Sequence, residues 1–529
     1  MKKNVYIFIL LSLFTLTNFC YAKNYFVANT GNDTNPGTFA SPFKTIQKGV
    51  DMAALGGDTV FVSAGFYPES VKFIYSGNTG NYIVFKAMGE VTIECTVNWL
   101  WSCVFDLTNK NYIIIDGFKI QNTFFFGIYV YGCNQIILRN NWTYNTGASG
   151  IYMEKCTSIK ILNNKVEKAC ALTKAQSSVG IQENISVSLT TDFEIAYNEV
   201  VTSGKDNTNE SWGGEGLDVK AGCQNGSIHQ NIVHDLNRLG IYCDSWNSLN
   251  KNINIYDNTV WNCREGIVLS SEDGGTVDSV QVYNNICYAN EQSGIAIANY
   301  GTDGPKTNIT IMNNTSYENG FQIYINGSTG GGITISSSSI TNVIVRNNIV
   351  SKNNRWQILT TGTIVKDHNL IDGYKGALQE VEIGPTDVKG DPCFTNPLEN
   401  DFTLLGNSPA IDKADPILFT ATDFAGNSRT HGLSADIGAF EYMGVTGIIN
   451  YKSNSFGFIF PNPASESINI NLNDMAKNQQ VQFYNTTGQL YKEIVIEQSA
   501  QVNIFDLPKG IYFIQIKGFS QRAQKFIKL

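Results

Sequence analysis

The sequence predicts an all-β chain built around a parallel β-helix, or solenoid, with a short helix at its N-terminal end and a small β-sandwich-like domain at its C-terminus. Three observations lead there. Between Phe126 and Val350 a Gly-Ile-x-apolar signal recurs, an alternating apolar strand closed by Asn recurs with it, and at Phe458 the chain changes character. A repeat of some twenty to thirty residues with two short strands per copy is how a solenoid reads in sequence, since each rung buries its apolar face only against its neighbours.

The chain has 529 residues and a net charge of −9. Its first residues, Met1-Lys2-Lys3, a mostly apolar run from Val5 to Leu16 and Cys20-Tyr21-Ala22, read as a secretory signal peptide over 1–22. The apolar run is short for a membrane span. The acidic balance argues against general nucleic-acid binding, which needs a basic face. Ten cysteines remain after Ala22; export permits disulfides, and burial as small apolar residues is the other reading.

From 23 to 67, Ser41 suits an N-cap, Pro42 a first helical residue and Gly56-Gly57 a stop, with Phe43, Ile46, Val50 and Ala53 on one apolar face. Such a helix, followed by the strand Thr59-Val60-Phe61-Val62, plugs the open end of a solenoid. The solenoid with this cap is expected over 23–389.

The Gly signal occupies Gly127, Gly150, Gly216, Gly240, Gly266 and Gly294, and the Asn signal Asn141, Asn164, Asn198, Asn231, Asn258, Asn285, Asn314 and Asn348. The early anchors precede their Asn by fourteen or fifteen residues, and that offset makes Asn184 the missing anchor. Asn suits a tight turn because it tolerates the left-handed conformation, and it can stack in ladders. Longer rungs at 173–180 and 203–213 are expected to project loops. Residues 390–442 read as a closing segment whose carboxylates serve turns and caps, 443–457 as a linker, and 458–529 as a separate small domain.

Residues two apart in a strand share a face. Counting from each anchor, the +1 and +3 positions point inward, whereas −1, +2 and +4 point out. The +2 column reads Tyr129, Tyr152, Ser186, Asp218, Tyr242, Val268; the +4 column Tyr131, Glu154, Ser188, Lys220, Asp244, Ser270; the −1 column Phe126, Ser149, Glu183, Glu215, Leu239, Glu265. Acids, a lysine and tyrosines converge on one outward sheet around Glu215, Asp218, Lys220, Tyr242 and Asp244.

Three chemistries fit. In a lyase a base abstracts the proton α to a uronate carboxylate while Ca2+ or Arg neutralises that charge. Lys220 is then the base, Glu215, Asp218 and Asp244 the metal ligands, and Arg238 an alternative carboxylate clamp. In a glycosidase two carboxylates act as acid and base or nucleophile, and Asp218 and Asp244 form the pair. Tyr242, Trp246 and Trp212 stack sugar faces in either case. In the third the sheet only binds glycan. Against all three stands a plain solvated pair, Lys220 with Asp244, on a sheet surface. His234 and Asp235, three residues beyond Asn231, are open to a catalytic or a structural reading. Glu272 lies in an acidic turn within reach of the site rim. Cys133 and Cys156 share an offset from their Gly and are compatible with a disulfide or with a simple stack.

Two resemblances add to this. The segment from Tyr25 to Tyr67 resembles the N-terminal segment of secreted, right-handed, single-stranded parallel β-helix proteins, polysaccharide lyase family 9 among them. That family implies a calcium-dependent β-elimination with a lysine base; its Asp-Asp-Gly-x-Asp metal motif is absent here. Phe460-Pro461-Asn462-Pro463-Ala464, Thr487-Gly488-Gln489 and Leu507-Pro508-Lys509-Gly510-Ile511-Tyr512 resemble the type A C-terminal sorting domain of the type IX secretion system. The implied protein is a secreted or surface-attached enzyme that cleaves a uronate-containing polysaccharide by β-elimination, with a hydrolase or a glycan-binding surface protein as alternatives.

Overall fold

A computed structural model describes residues 22–171 (apart from 96 and 98), 183–201, 214–321, 330–444 and most of 459–528. The signal peptide, the two projecting loops, Trp212 and nearly all of the linker lie outside the described residues. No helix among those described is long and apolar enough to cross a membrane.

The chain divides into two compact units. The first holds residues 1–345 with 352–366 and 374–382. It is a right-handed parallel β-helix in which each strand pairs in register with its counterpart one rung on. The outward sheet that concerns function is made of β1 (Phe126–Tyr131), β2 (Ile151–Glu154), β3 (Ile185–Ser188), β4 (Leu217–Lys220), β5 (Ile232–Asp244), β6 (Thr259–Ser270) and β7 (Ile295–Ile297). The expected columns are the observed register. Tyr129 pairs with Tyr152, Tyr152 with Ser186, Ser186 with Asp218, Asp218 with Tyr242 and Tyr242 with Val268. The inward positions Ile128, Ile151, Ile185, Leu217, Ile241, Ile267 and Ile295 are fully buried, the apolar column that drives the rungs together.

The anchors are glycine because the next rung's backbone passes where a side chain would stand. A Cβ on Gly127 would lie 2.4 Å from the Gly150 carbonyl oxygen, and one on Gly216 the same distance from that of Gly240. Asn184 takes the same register place, its amide nitrogen donating to the Glu215 carbonyl and its Nδ2 to the carbonyls of Gly214 and Glu215.

The recurring asparagines form a buried ladder. Nδ2 of Asn141, Asn164, Asn198, Asn231, Asn258 and Asn285 each donates to Oδ1 of the next, the last bond reaching Asn314, at 2.9–3.0 Å, and Asn348 donates in the same way to Asn369 at 3.0 Å. The left-handed conformation expected of them belongs instead to the residue before: Asn140, Asn163, Tyr197, Gln230, Asp257, Asn284 and Asn313 have φ between +53° and +60°. The turn therefore aims the following Asn inward, and the ladder satisfies its amide where water cannot. A second ladder, Asn290 to Asn319 to Asn353, runs beside it, which the spacing did not announce.

At the N-terminal end the helix is shorter than expected. It spans Ile46–Met52 with Thr45 as N-cap, its side chain accepting from the Lys48 amide at 3.2 Å. Phe43 is extended, its amide donating to the Phe26 carbonyl and its carbonyl accepting from Ala28, so Ser41 and Pro42 are drawn out of the helix. The expected apolar face is nevertheless the buried one: Phe43, Ile46, Val50 and Ala53 are each at most 1% exposed.

The second unit comprises 346–351, 367–373 and 383–529. In its closing segment the fully buried Arg429 donates to the carbonyls of Asp436, Gly438 and Ala439. Asp412 and Asp436 accept from nearby backbone amides, the turn and cap roles expected of them. Residues 459–528 form a three-stranded and a four-stranded antiparallel sheet around Ile468, Ile470, Val481, Phe483, Ile514 and Phe526.

Candidate functional site

The outward positions of β3 to β5 gather a cluster of ionised groups that is largely withdrawn from water. Glu183, Glu215, Asp218 and Asp244 are each at most 3% exposed. They face the outside of the solenoid, but they are not the solvated surface pair that was one reading of Lys220 and Asp244. Lys220 and Asp244 are register partners on β4 and β5, yet the lysine's ion pairs run elsewhere. Its Nζ bonds to Glu183, and it lies 3.8 Å from Asp218 Oδ2. Burial works against its charge, but Glu183 and Asp218 outweigh it and hold its pKa above the ordinary lysine value.

Arg238 joins the same cluster. It lies in the stretch of β5 where the pairing with β6 is irregular, between Leu236 and Leu239. Its Nε and Nη2 donate to Glu215 Oε1 at 3.0 and 2.9 Å, so the two cations each hold a glutamate of the same column. Glu183 was legible only as a member of that column. Its place beside Lys220 follows from the side chain's reach back across a rung.

Asp244 sits at the end of β5. Its Oδ1 accepts from the Trp246 amide at 2.8 Å, and burial, then the charge of Glu272, push its pKa up to about 7. Burial also raises Asp218 well above the usual carboxyl range, with Glu183 and Asp244 adding to the effect against Lys220. Tyr242 donates to Glu272 Oε1 at 2.8 Å, which brings Glu272 to the rim, and the next outward acid, Glu265, accepts from Tyr300. Trp246, 40% exposed, turns out from the corner with φ +50°. Lys155, Leu189 and Ala221 take the same left-handed turn just after their strands, so this is the regular corner of the rung.

Two carboxylate oxygens in this cluster, Glu215 Oε2 and Asp218 Oδ1, are buried and lack a hydrogen-bond partner, while the Ser186 hydroxyl turns to Glu183. Among the described residues, the trio of carboxylate, histidine or cysteine ligand atoms within 4.8 Å of one another is Asp367, His368 and Asp415 in the second unit; the oxygens of Glu215, Asp218 and Asp244 are not gathered to that distance. Arg346 already pairs with Asp367 and Asp415 in the second unit.

His234 does not join the site. It stacks on Trp261 at 4.2 Å and 3°, with Nδ1 2.8 Å from Asp235 and Nε2 3.6 Å from Glu199, in the rung position shared with Trp261 and Tyr288. The cysteines among the described residues are free thiols, and those of Cys133 and Cys156 donate to the carbonyls of Leu107 and Glu154.

Comparison with known proteins agrees with this architecture. Residues 69–192 match the family described as right handed beta helix region, 458–528 the secretion system C-terminal sorting domain, and 29–76 a protein family of unknown function, DUF1565. The protein is thus a parallel β-helix carrying a tail for type IX secretion to the cell surface or extracellular space. The uncharacterized protein YwoF of Bacillus subtilis (strain 168) is 26% identical over 449 residues, 73% of this chain and 91% of that one. Solved structures similar to it include the pectate lyase Pel9A (16% identical, 79% of this chain and 96% of that one, TM-score 0.48) and a complex of XylC with xylose (13%, 79% and 98%, 0.48). A third is PfbA, a surface adhesin of Streptococcus pneumoniae (12%, 63% and 87%, 0.44).

Proposed function

We propose that this protein cleaves glycosidic bonds in an extracellular polysaccharide by acid–base chemistry, with Asp244 as the proton donor and Asp218 as its carboxylate partner. One observation carries the reading: two buried carboxyls on neighbouring rungs, Asp218 and Asp244, both lifted above the ordinary range, with Asp244 at about 7. Buried acids this close titrate as a pair and retain a proton near neutrality, which supplies an acid and a base from two residues of one type. A glycosidic oxygen needs such a donor as its bond breaks. Trp246 offers an exposed ring beside the donor on which a sugar face stacks.

β-Elimination, the first expectation from sequence, has weaker support. Lys220 would have to give up the proton that Glu183 and Asp218 hold on it, and the three expected calcium ligands do not converge. The deciding measurement is incubation of the secreted protein with neutral and uronate polymers, with and without a chelator. New reducing ends, without the ultraviolet absorbance of an unsaturated uronide, are the expected result. Chelator-sensitive absorbance would replace hydrolysis with lyase chemistry, and binding without any cleavage would make the protein a glycan-binding surface protein.

A further inference from the structure

We infer that the sugar bound over β3 to β5 is an uncharged, hydroxyl-rich residue rather than a uronate. This deepens the reading above and rests on it for the reaction, but not for the recognition.

The first line of argument is charge. A uronate needs a free cation or a bound metal to meet its carboxylate. Among the described residues of the cluster, both cations are committed: Lys220 to Glu183 and Asp218, Arg238 to Glu215. Around them stand Glu183, Glu215, Asp218, Asp244 and Glu272, five acids to two bases. Even with Asp218 and Asp244 protonated, the remaining glutamates outnumber the cations. An incoming carboxylate therefore meets repulsion in a poorly hydrated place, where charges act over several ångströms with little screening.

The second line is hydrogen bonding. Glu215 Oε2 and Asp218 Oδ1, on one rung, are buried and lack a hydrogen-bond partner, while Ser186, fully buried in the outward column between Tyr152 and Asp218, has its hydroxyl turned to Glu183. A buried polar atom left unpaired is costly, so two together on one rung point to a missing set of partners. Sugar hydroxyls are such partners, because each donates to a carboxylate and also accepts from a protonated carboxyl or a serine. A uronate brings an acceptor-only group to a place already rich in acceptors.

The test uses the full chain carrying Asp244→Asn, so that binding is read without turnover, in affinity electrophoresis against a linear β-glucan, xylan, mannan, polygalacturonate and alginate. The expected result is retardation by at least one neutral polymer, at an affinity at least about tenfold above either uronate polymer, a difference of about 1.4 kcal/mol. Equal or tighter binding of a uronate polymer, or no binding of any neutral one, overturns the inference. A second variant, Glu183→Gln, frees the Lys220 ammonium and is expected to gain affinity for polygalacturonate; unchanged selectivity in a folded variant also overturns it. The two readings fail separately. Hydrolysis of a uronate polymer by the unmodified protein sinks this inference and leaves the cleavage reading standing. Selective binding of a neutral polymer without its cleavage does the reverse.

Discussion

Asp244 is the residue on which the chemistry turns, and its protonation has two measurable consequences. As the donor it must carry a proton, so turnover is expected to fall as pH rises through about 7, and Asp244→Asn to abolish it. Its effect on stability has a definite sign as well. The folded protein holds a proton on Asp244 that the unfolded chain has released once pH exceeds the ordinary value of 3.8. Stability from this group is therefore lost as pH rises from about 4 to about 7, at roughly 1.4 kcal/mol per pH unit at most. Thermal unfolding of Asp244→Asn should lack that slope and be no less stable than the parent at pH 8. His234 gives the contrasting case. Stacked on Trp261 and paired with Asp235 and Glu199 rather than with Asp218 or Asp244, it should tolerate His234→Ala with turnover within about twofold and a stability loss of about 1 kcal/mol for the lost stack. A loss of turnover out of proportion to unfolding would return it to the site. Glu183, the partner of Lys220, was not separable from its column by sequence, because a side chain's choice of partner depends on reach across rungs and on what burial leaves available.

At the scale of the element, the ladder and the irregular strand do different work. The asparagine ladder holds the turn of each rung to the next by amide–amide bonds out of water. Removing Asn231 breaks it in the middle, leaving the Nδ2 of Asn198 and the Oδ1 of Asn258 without their ladder partners. Asn231→Ala should cost about 2–4 kcal/mol by denaturant unfolding, since it removes the buried bonds of its side chain to Asn198, Asn258 and the Ile195 carbonyl and leaves the Asn198 backbone N–H unmet, at about 1–3 kcal/mol for an unmet buried group. A change under 1 kcal/mol would mean that water replaces the lost partners. Sequence located the members of that ladder from Asn141 to Asn314 by their spacing. It assigned the left-handed turn to the wrong neighbour, because Tyr197 and Gln230 hold positive φ without being asparagine or glycine. The irregularity in β5 was not legible at all. Leu236-Asn237-Arg238-Leu239 has no glycine or proline to announce it, and only the pairing with β6 shows it, with Arg238 donating to Glu215 from within that stretch.

Over the whole molecule, a solenoid and an export tail occupy separate stretches of one chain. Residues 459–528 have their own core, made of Ile468, Ile470, Val481, Phe483, Ile514 and Phe526. Deleting 458–529 should leave the solenoid's unfolding transition and its turnover unchanged while stopping delivery to the cell surface. Cell fractionation of the truncated chain checks this, and its continued appearance outside the cell would separate the tail from the export role its family match assigns. The cap at the other end protects the first rung, with Phe43, Ile46, Val50 and Ala53 against the strands.

What the sequence determined by itself was everything that repeats: the solenoid, the register of its outward columns, the asparagine ladder, the capping helix's buried face and the separate tail. Periodic burial needs only the local pattern of apolar and polar residues, and a fault in one rung is corrected by its neighbours. Only the tertiary structure decided the site's electrostatics. It withdrew the carboxyls from water, gave Lys220 to Glu183 and Arg238 to Glu215, and stacked His234 on Trp261. The physical reason is that a charge's state depends on burial and on the nearest opposite charge, and both are set across rungs twenty to forty residues apart in the chain.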